Sequence, residues 1–456
     1  MKFQPSVEES GHINKYHEFL RIALNNCADF FIYCGHVLEI MRFDILDGSS
    51  AYCYISTFSG AGIGDAGIHW GSNVPLLLAS ELAPERANML KRNFAGRKKN
   101  PAKIIQGNIE DTKNDIIEHC ENELEGLNPW LVVLSPPCQG MSANGIGKLM
   151  AQVKAGKKPE NDVRNQLIIE GVEIVQSLKP DWFLLENVPR MENTYIENEE
   201  KELETILDFI YRKLSPEGYT IHSRKIDFLN YGVPHRRERL ITIGCRIKSI
   251  TEVHKSPTID NVFSNGKSPF HPNPTHGPSG VDYINLGDVI RKLPELKAIE
   301  GENISKVIKF HSVPIWNENH YFWLRNTKAG RSAFENKQCV NPKCKRDTDE
   351  YTIADEVNFD HWALIDCPFC GEMLPRPQTA FLGWSCVKCN HKNRSTRTVC
   401  LCGKKRTNEK IESQRRLIRG FATSYRKLRM DAPASTLTMN SGTISSDLKG
   451  HPTQNR

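Results

Sequence analysis

Four apolar runs punctuate the first half of the chain: Tyr52-Cys53-Tyr54-Ile55, Leu76-Leu77-Leu78-Ala79, Trp130-Leu131-Val132-Val133-Leu134 and Trp182-Phe183-Leu184-Leu185. Each is short, nearly free of polar residues, and followed at once by polar or turn-forming residues. Runs of this kind read as strands buried on both faces, the pattern of a mainly parallel sheet covered by helices. The first is followed by Phe58-Ser59-Gly60-Ala61-Gly62-Ile63-Gly64, a strand passing through a glycine-rich turn towards a helix. The expected core is therefore α/β and Rossmann-like. The functional residues are expected just beyond the strand ends, where open α/β sheets bind their ligands.

The residues that end each run carry the candidate chemistry. After Leu134 come Ser135-Pro136-Pro137-Cys138-Gln139-Gly140, in which two prolines stop the strand and hold a thiol on a stiff turn. Cys138 is a candidate nucleophile, set against the common alternative of a small buried hydrophobe. After Leu185 comes Glu186-Asn187-Val188-Pro189, and Glu186 can hold or deliver a proton opposite the thiol. Gly60 and Gly62 let the backbone approach a cofactor and open a helix N-terminus. Glu81 follows them by about twenty residues, the spacing at which Rossmann-like folds place an acid on a ribose. Together these residues describe a nucleoside-cofactor site beside a cysteine and a glutamate.

Composition narrows the class. With 456 residues the chain suggests two or three domains, and 39% hydrophobic and 25% charged residues are ordinary for a globular protein. No apolar run reaches the roughly eighteen residues of a membrane-spanning helix. Met1 to Gly11 lacks a basic-then-apolar leader, so the expectation is a cytoplasmic protein. Residues 12 to 46 read as a helix-rich preface.

A second kind of chemistry lies further on. Eight of the fourteen cysteines fall within residues 339 to 402 as four close pairs: Cys339/Cys344, Cys367/Cys370, Cys386/Cys389 and Cys400/Cys402. Tetrahedral zinc takes four thiolates, and two CxxC pairs fifteen residues apart fit that need better than core packing does. Sequential pairing gives one site from the first four cysteines and another from the last four; a cross-braced arrangement is the alternative. Charge is focused in the same region. Residues 384 to 429 hold fourteen Lys or Arg and two Glu, a balance of +12 in a chain whose total is +6, leaving −6 elsewhere. That focus is the footprint of phosphate contact.

The ordered motifs resemble those of the cytosine-C5 DNA methyltransferases. Phe58, Gly60 and Gly62 resemble the family's S-adenosylmethionine turn, and Pro137-Cys138-Gln139 its nucleophile motif. Asp162-Val163-Arg164-Asn165 and Glu186-Asn187-Val188 follow in the family's order. Val233-Pro234-His235-Arg236-Arg237-Glu238-Arg239 resembles its Gln-x-Arg-x-Arg segment, with His235 where Gln is usual. Residues 419 to 438, with Pro433 and Thr436, resemble the ninth motif. Segment 384–400, with Trp384, Cys386, Cys389, Asn393 and Cys400, is similar to a Ran-binding-protein type zinc finger, apart from the single residue between Cys400 and Cys402.

The resemblance implies a Rossmann-like S-adenosylmethionine methyltransferase core with a smaller, zinc-containing target-recognition domain. The implied division is a preface over 1–49, a catalytic domain over 50–245, a recognition domain over 246–418, and a return to the core over 419–456. It implies double-stranded DNA as partner, and S-adenosylmethionine held by Phe58, Gly60, Gly62, Glu81, Asn108, Ile109 and Pro137. Asn108 stands where an acid is usual, which predicts weaker adenine contact. Two zinc ions would sit on the eight cysteines; a reducing compartment disfavours disulfides. The implied mechanism flips a cytosine out of the duplex and adds Cys138 to C6. Glu186 acts at N3, Arg237 faces the base carbonyl or a phosphate, and Arg239 supports the fold. The lysine-bearing stretch from Ala143 to Pro159 is expected to close over DNA. The tenth motif starts at His451-Pro452-Thr453-Gln454-Asn455-Arg456, which leads to the expectation of either a second polypeptide supplying its remainder or a truncated product. The favoured reading is a restriction–modification methyltransferase; the alternatives are an RNA cytosine-5 methyltransferase and a catalytically silent DNA-binding protein.

Overall fold

A computed structural model describes residues 41, 50–72, 74–96, 101–138, 141, 163–254, 268–278, 280–308, 311–347, 365–389, 391–418, 425–437 and 448–454. The expected preface (apart from Met41), the 143–159 loop, Asp162 and Gln139 lie outside these residues, as do 419–424 and Asn455-Arg456. The described chain falls into two compact regions, one ending at Ile284 and one beginning at Asn285.

The first region is built on a seven-stranded sheet. Its chain order is β1 (Ser50–Thr57), β2 (Leu76–Glu81), β3 (Lys103–Gln106), β4 (Asn128–Leu134), β5 (Trp182–Asn187), a small antiparallel hairpin of β6 (Tyr195–Glu197) and β7 (Leu203–Thr205), then β8 (Thr220–Asp227) and β9 (Glu238–Cys245). The hairpin stands apart from the main sheet, whose spatial order is β3-β2-β1-β4-β5-β9-β8. The first five strands of that order are parallel, and β9 runs antiparallel to both its neighbours. All four apolar runs are thus strands. Their side chains divide between two cores because successive residues point to opposite faces, apart from an irregularity in the β1–β2 register that sends Leu76 and Leu78 to different cores. Ile55, Leu78, Val132, Leu134, Phe183 and Leu185 enter one core. Tyr54, Leu76, Ala79, Leu131, Val133, Trp182 and Leu184 enter the other.

Helices α1 (Ile63–Ser72), α2 (Pro84–Leu90), α3 (Ile109–Leu124), α4 (Leu167–Leu178) and α5 (Ile206–Leu214) cover the sheet. Helix α3 buries Ile109, Ile116, Cys120 and Leu124 at helical spacing in the same core as Ile168, Val172 and Val175 of α4. Lys113 ties the two helices through ion pairs with Glu170, 2.6 Å away, and Glu173. Chain reversal between β1 and β4 makes their shared C-terminal edge a topological switch point, where ligands bind in sheets of this kind. That edge carries the glycine turn on one side and Ser135–Cys138 on the other.

The break between the regions falls at residue 284 rather than at the expected 245. Segment 268–284 belongs with the sheet for a physical reason. Phe270 is buried edge-on to Trp182 at 5.4 Å, and Tyr231 donates to the Pro272 carbonyl at 2.8 Å. His271 Nε2 lies 3.0 Å from the Ile241 carbonyl. A Pro/Gly/Asn-rich stretch read as a recognition-domain loop is therefore a loop packed on the sheet.

In the second region a helix, α6 (Glu318–Arg325), contributes Trp323 to an aromatic cluster with His320, Phe334 and Tyr425. Strands β10 (Gln378–Ser385), β11 (Lys392–Arg394) and β12 (Glu412–Leu417) form an antiparallel sheet with β10 in the middle. A short parallel pair joins β13 (Arg426–Lys427) to β14 (Lys449–Gly450). The segment resembling the ninth motif thus packs, through Tyr425, in this region.

Candidate active site

The glycine turn is held in an uncommon backbone conformation. Phe58 has φ +56°, Gly60 +59° and Gly62 +79°. Left-handed conformations cost a side-chain-bearing residue energy that the surroundings must offset. Here the Ser59 amide donates to the Ser80 carbonyl at 2.9 Å, and its hydroxyl to the Ser56 hydroxyl at 2.8 Å. Glu81, almost fully buried, accepts from the Gly60 amide through Oε2 and from the Ala83 amide through Oε1, both at 2.9 Å. A Cβ on Gly62 would stand 2.6 Å from Leu90 Cδ2 and 2.7 Å from Phe94 Cε2. This is a backbone cradle with open space above Gly60 and an anchored carboxylate beside it. Those features fit a nucleoside cofactor approaching the main chain.

Asn108 occupies the N-cap position of α3 without capping it, and its side-chain amide donates to Glu110 Oε2 at 2.7 Å. Donation through nitrogen leaves the Oδ1 free to accept, as an adenine amino group requires. Ile109 is buried in the core, so its contribution is to seat α3 rather than to offer a surface.

Across the switch point, β4 and β5 pair in register up to Leu134 beside Leu185. The Ser-Pro-Pro-Cys turn and Glu186-Asn187 therefore leave the sheet side by side. Asn187 ties them together: its Nδ2 donates to the Pro136 carbonyl at 3.2 Å, and its Oδ1 accepts from the Val188 amide at 2.8 Å. Cys138 is half-buried. Burial raises its thiol pKa above the ordinary range and the Glu186 carboxylate raises it further; Arg239 and Arg237 pull it down. Thiol, carboxylate and both guanidiniums thus lie within one electrostatic neighbourhood. The Arg239 Nε stands 2.6 Å from Glu186 Oε1, in a pair whose side chains are 13% and 20% exposed.

The eight cysteines of the second region come together as two groups of four. Cys339, Cys344, Cys367 and Cys370 form one, and Cys386, Cys389, Cys400 and Cys402 the other; within each group the sulfurs lie within 4.8 Å of one another. Pairing is therefore sequential rather than cross-braced. Four thiols converging this closely, with no disulfide between them, are a donor set suited to tetrahedral zinc.

A family model described as C-5 cytosine-specific DNA methylase matches residues 52–428. The chain belongs to that family. Type II methyltransferase M1.HgaI of Avibacterium volantium is 24% identical over 403 residues, covering 87% of this chain and 80% of the relative. M1.HphI of Haemophilus parahaemolyticus is 28% identical, with 55% of this chain and 56% of the relative covered. Among solved structures, the Entamoeba histolytica methyltransferase EhMeth aligns with 19% identity and a TM-score of 0.31, over 43% of this chain and 53% of that one.

Of the candidate residues in the sequence, Cys138, Glu186 and Arg237 converge, and Gly60 and Glu81 meet through a direct hydrogen bond. Two side chains were read differently or missed. Arg239, expected only to support the fold, is the direct ion-pair partner of Glu186. The antiparallel register that sets Glu186 against Ile241 brings it there, and register between distant strands is not written locally. Asp65 was not singled out. It lies at 2% exposure in the first turn of α1, bonded to Ser56, and burial pushes its carboxyl pKa up to about 7. Its Oδ1 has no hydrogen-bond partner. An acid near the start of a helix is common, so nothing local marked this one as buried. Among the described residues, no helix is long and apolar enough to cross a membrane.

Proposed function

We propose that the chain is a DNA (cytosine-5)-methyltransferase of the Type II restriction–modification kind, methylating a flipped cytosine within a specific duplex sequence. The observation that carries this reading is the half-buried Cys138 thiol at the end of β4, beside Glu186 and the arginine paired with it. Relatives named Type II methyltransferases agree with it. Neither the family match nor those names speak for a second polypeptide.

The residues divide the chemistry as follows. Phe58, Gly60, Gly62, Glu81, Asn108 and Pro137 would hold S-adenosylmethionine, which supplies an electrophilic methyl group on a sulfonium, while Ile109 seats α3 beneath Asn108. Cys138, as thiolate, adds to C6 of the cytosine ring and turns C5 into a carbon nucleophile. Burial and Glu186 keep the resting thiol protonated, so it must lose its proton as the base arrives. The Glu186 carboxylate takes up the proton that the thiol releases and delivers it to N3 as charge develops on the ring, and Arg239 fixes the direction of its carboxyl group. Arg237 adds positive charge on the same side. After methylation, loss of the C5 proton and departure of Cys138 restore the aromatic ring. We assign target recognition to the cysteine-bearing region within residues 246–418, with zinc on each group of four cysteines.

The test is transfer of labelled methyl from S-adenosylmethionine to duplex DNA by the wild-type chain and by Cys138→Ser. We expect transfer by the wild type and none by the variant, with duplex binding retained, because an alcohol is a far poorer nucleophile than a thiolate at neutral pH. Normal methylation by the variant would overturn the mechanism. Transfer to RNA in preference to DNA, or DNA binding without transfer by the wild type, would overturn the assignment.

A further inference from the structure

The second cysteine group differs from the first in what it shows to solvent. Its two ligand turns, Cys386-Val387-Lys388-Cys389 and Cys400-Leu401-Cys402-Gly403, each push an aliphatic side chain outward: Val387 is 74% exposed and Leu401 61%. Their stems are converging ligands, so the two tips rise from one small knuckle. In the first group the corresponding exposed side chain, Phe369, is covered by the Arg346 guanidinium 4.7 Å from its ring centre.

The knuckle is rigid below its tips. Trp384 is fully buried beneath it and donates to the Arg397 carbonyl at 2.7 Å. Backbone bonds from Cys386 to His391, from Cys400 to Lys404 and from Gly403 to Cys400 close the turns at 2.8–2.9 Å. Gly403, at φ +83°, permits the last of these. The surroundings are cationic: Lys388, Arg394, Arg397 and Lys405 are all exposed, and no Asp or Glu occurs between residues 386 and 402.

Single exposed aliphatics are unremarkable on any protein. Two on the tips of one rigid knuckle, in a stretch with exposed cations and no acid between residues 386 and 402, are suited to a specific partner. A protein surface would pair with such a rim only by supplying a matching ring of acids. Nucleic acid supplies phosphates at regular spacing and apolar base faces between them. Aliphatic side chains inserted between base steps are a known way to unstack and bend a duplex.

We propose that this knuckle is a wedge for duplex DNA, with Lys388, Arg394, Arg397 and Lys405 on phosphates and Val387 and Leu401 pressed between adjacent base pairs. The wedge rests on the reading of the chain as a DNA methylase, and it adds a deformation of the DNA to that reading. Its cations set where the duplex lies; its aliphatic tips set how far the duplex bends.

The experiment uses the full chain with Val387→Ser and Leu401→Ser combined. Zinc content and S-adenosylhomocysteine affinity serve as controls for folding and should not change, since both side chains are exposed. The measurements are duplex affinity over a series of salt concentrations, and duplex bending by energy transfer between end labels. We expect affinity to fall at least about tenfold with an unchanged salt slope, because phosphate contacts remain, and the bend to diminish. Lys388→Gln with Arg397→Gln should do the reverse, lowering the salt slope by roughly two while bending persists in the bound fraction. Serine variants that bind within twofold of wild type, or bend DNA as the wild type does, would overturn the wedge while leaving the methylase reading intact. A wild type that binds no duplex would overturn both. Loss of self-association in the serine variant, with duplex binding unaltered, would make the knuckle a contact between copies and also overturn it.

Discussion

The sheet region and the cysteine-bearing region hold themselves together by different means. Around the sheet, two large apolar cores contain Trp130, Phe183, Phe209 and Trp182, all essentially excluded from solvent. Around the cysteines the apolar material is sparse. One cluster consists of Cys339, Cys367 and Leu374, the other of Trp384, Cys386 and Cys400. Small modules with so little to bury need another source of stability, and four convergent thiols would provide one by holding the proposed zinc. The two regions should therefore fail under different conditions: the sheet when apolar packing is damaged, the cysteine modules when the metal is taken.

The most severe test of that contrast is metal removal. A strong chelator should abolish duplex binding and melt the sheet of β10, β11 and β12, while S-adenosylhomocysteine affinity, followed by calorimetry, stays within about twofold. Loss of both together would show that the regions do not stand on separate supports.

Next in size is Asp65, the place where the sheet region itself carries an electrostatic cost. Its carboxyl pKa is about 7 in the folded protein against roughly 3.9 when unfolded. With a raised acid, folding takes up a proton between those values, so stability falls as pH rises from about 4 to 7 and is level above. The span corresponds to roughly 4 kcal/mol. Asp65→Asn keeps an acceptor for Ser56 and removes the charge. We expect denaturant unfolding to show a stability gain that is small at pH 5, large at pH 8 and below 4 kcal/mol in total. An equal effect at both values would mean that Asp65 is ionised throughout.

A smaller effect is expected where packing and backbone meet. Gly62→Ala would drive a methyl into Leu90 and Phe94, both fully buried, at a φ that L residues avoid. The expected loss is roughly 1–3 kcal/mol, with weakened S-adenosylhomocysteine binding and no change in zinc content. A silent variant would show that the cradle yields more easily than its surroundings suggest.

The smallest effect probes the active-site charges. Arg239→Gln removes a cation that lowers the Cys138 pKa, so the pH for half-maximal alkylation of that thiol should move up. Glu186→Gln removes an anion that raises it, and the midpoint should move down. Peptide mapping of the alkylated protein isolates Cys138 from the other cysteines. Shifts of the same sign would show that the ion pair acts as a neutral whole.

Much of this molecule was legible in local sequence. Short apolar runs became strands, Pro136-Pro137 ended β4, and the glycine turn took its left-handed conformations. Close cysteine pairs also announced two ligand groups. These signals are local because they depend on backbone restriction, side-chain alternation and short loops, all of which act over a few residues.

What only the tertiary structure decided involves residues far apart in the chain. The pairing of β5 with β9 brings Arg239 to Glu186, about fifty positions away, and turned an expected fold support into a partner of the proposed catalytic acid. Phe270 and His271 drew a loop-like segment onto the sheet and moved the break between regions to residue 284. Asp65 became a buried acid because β1, the glycine turn and α1 close around it. The physical reason is common to all three. Hydrogen-bond register, burial and electrostatic neighbourhood are set by which surfaces meet, and a linear pattern of residue types says which surfaces are apolar without saying which ones face each other.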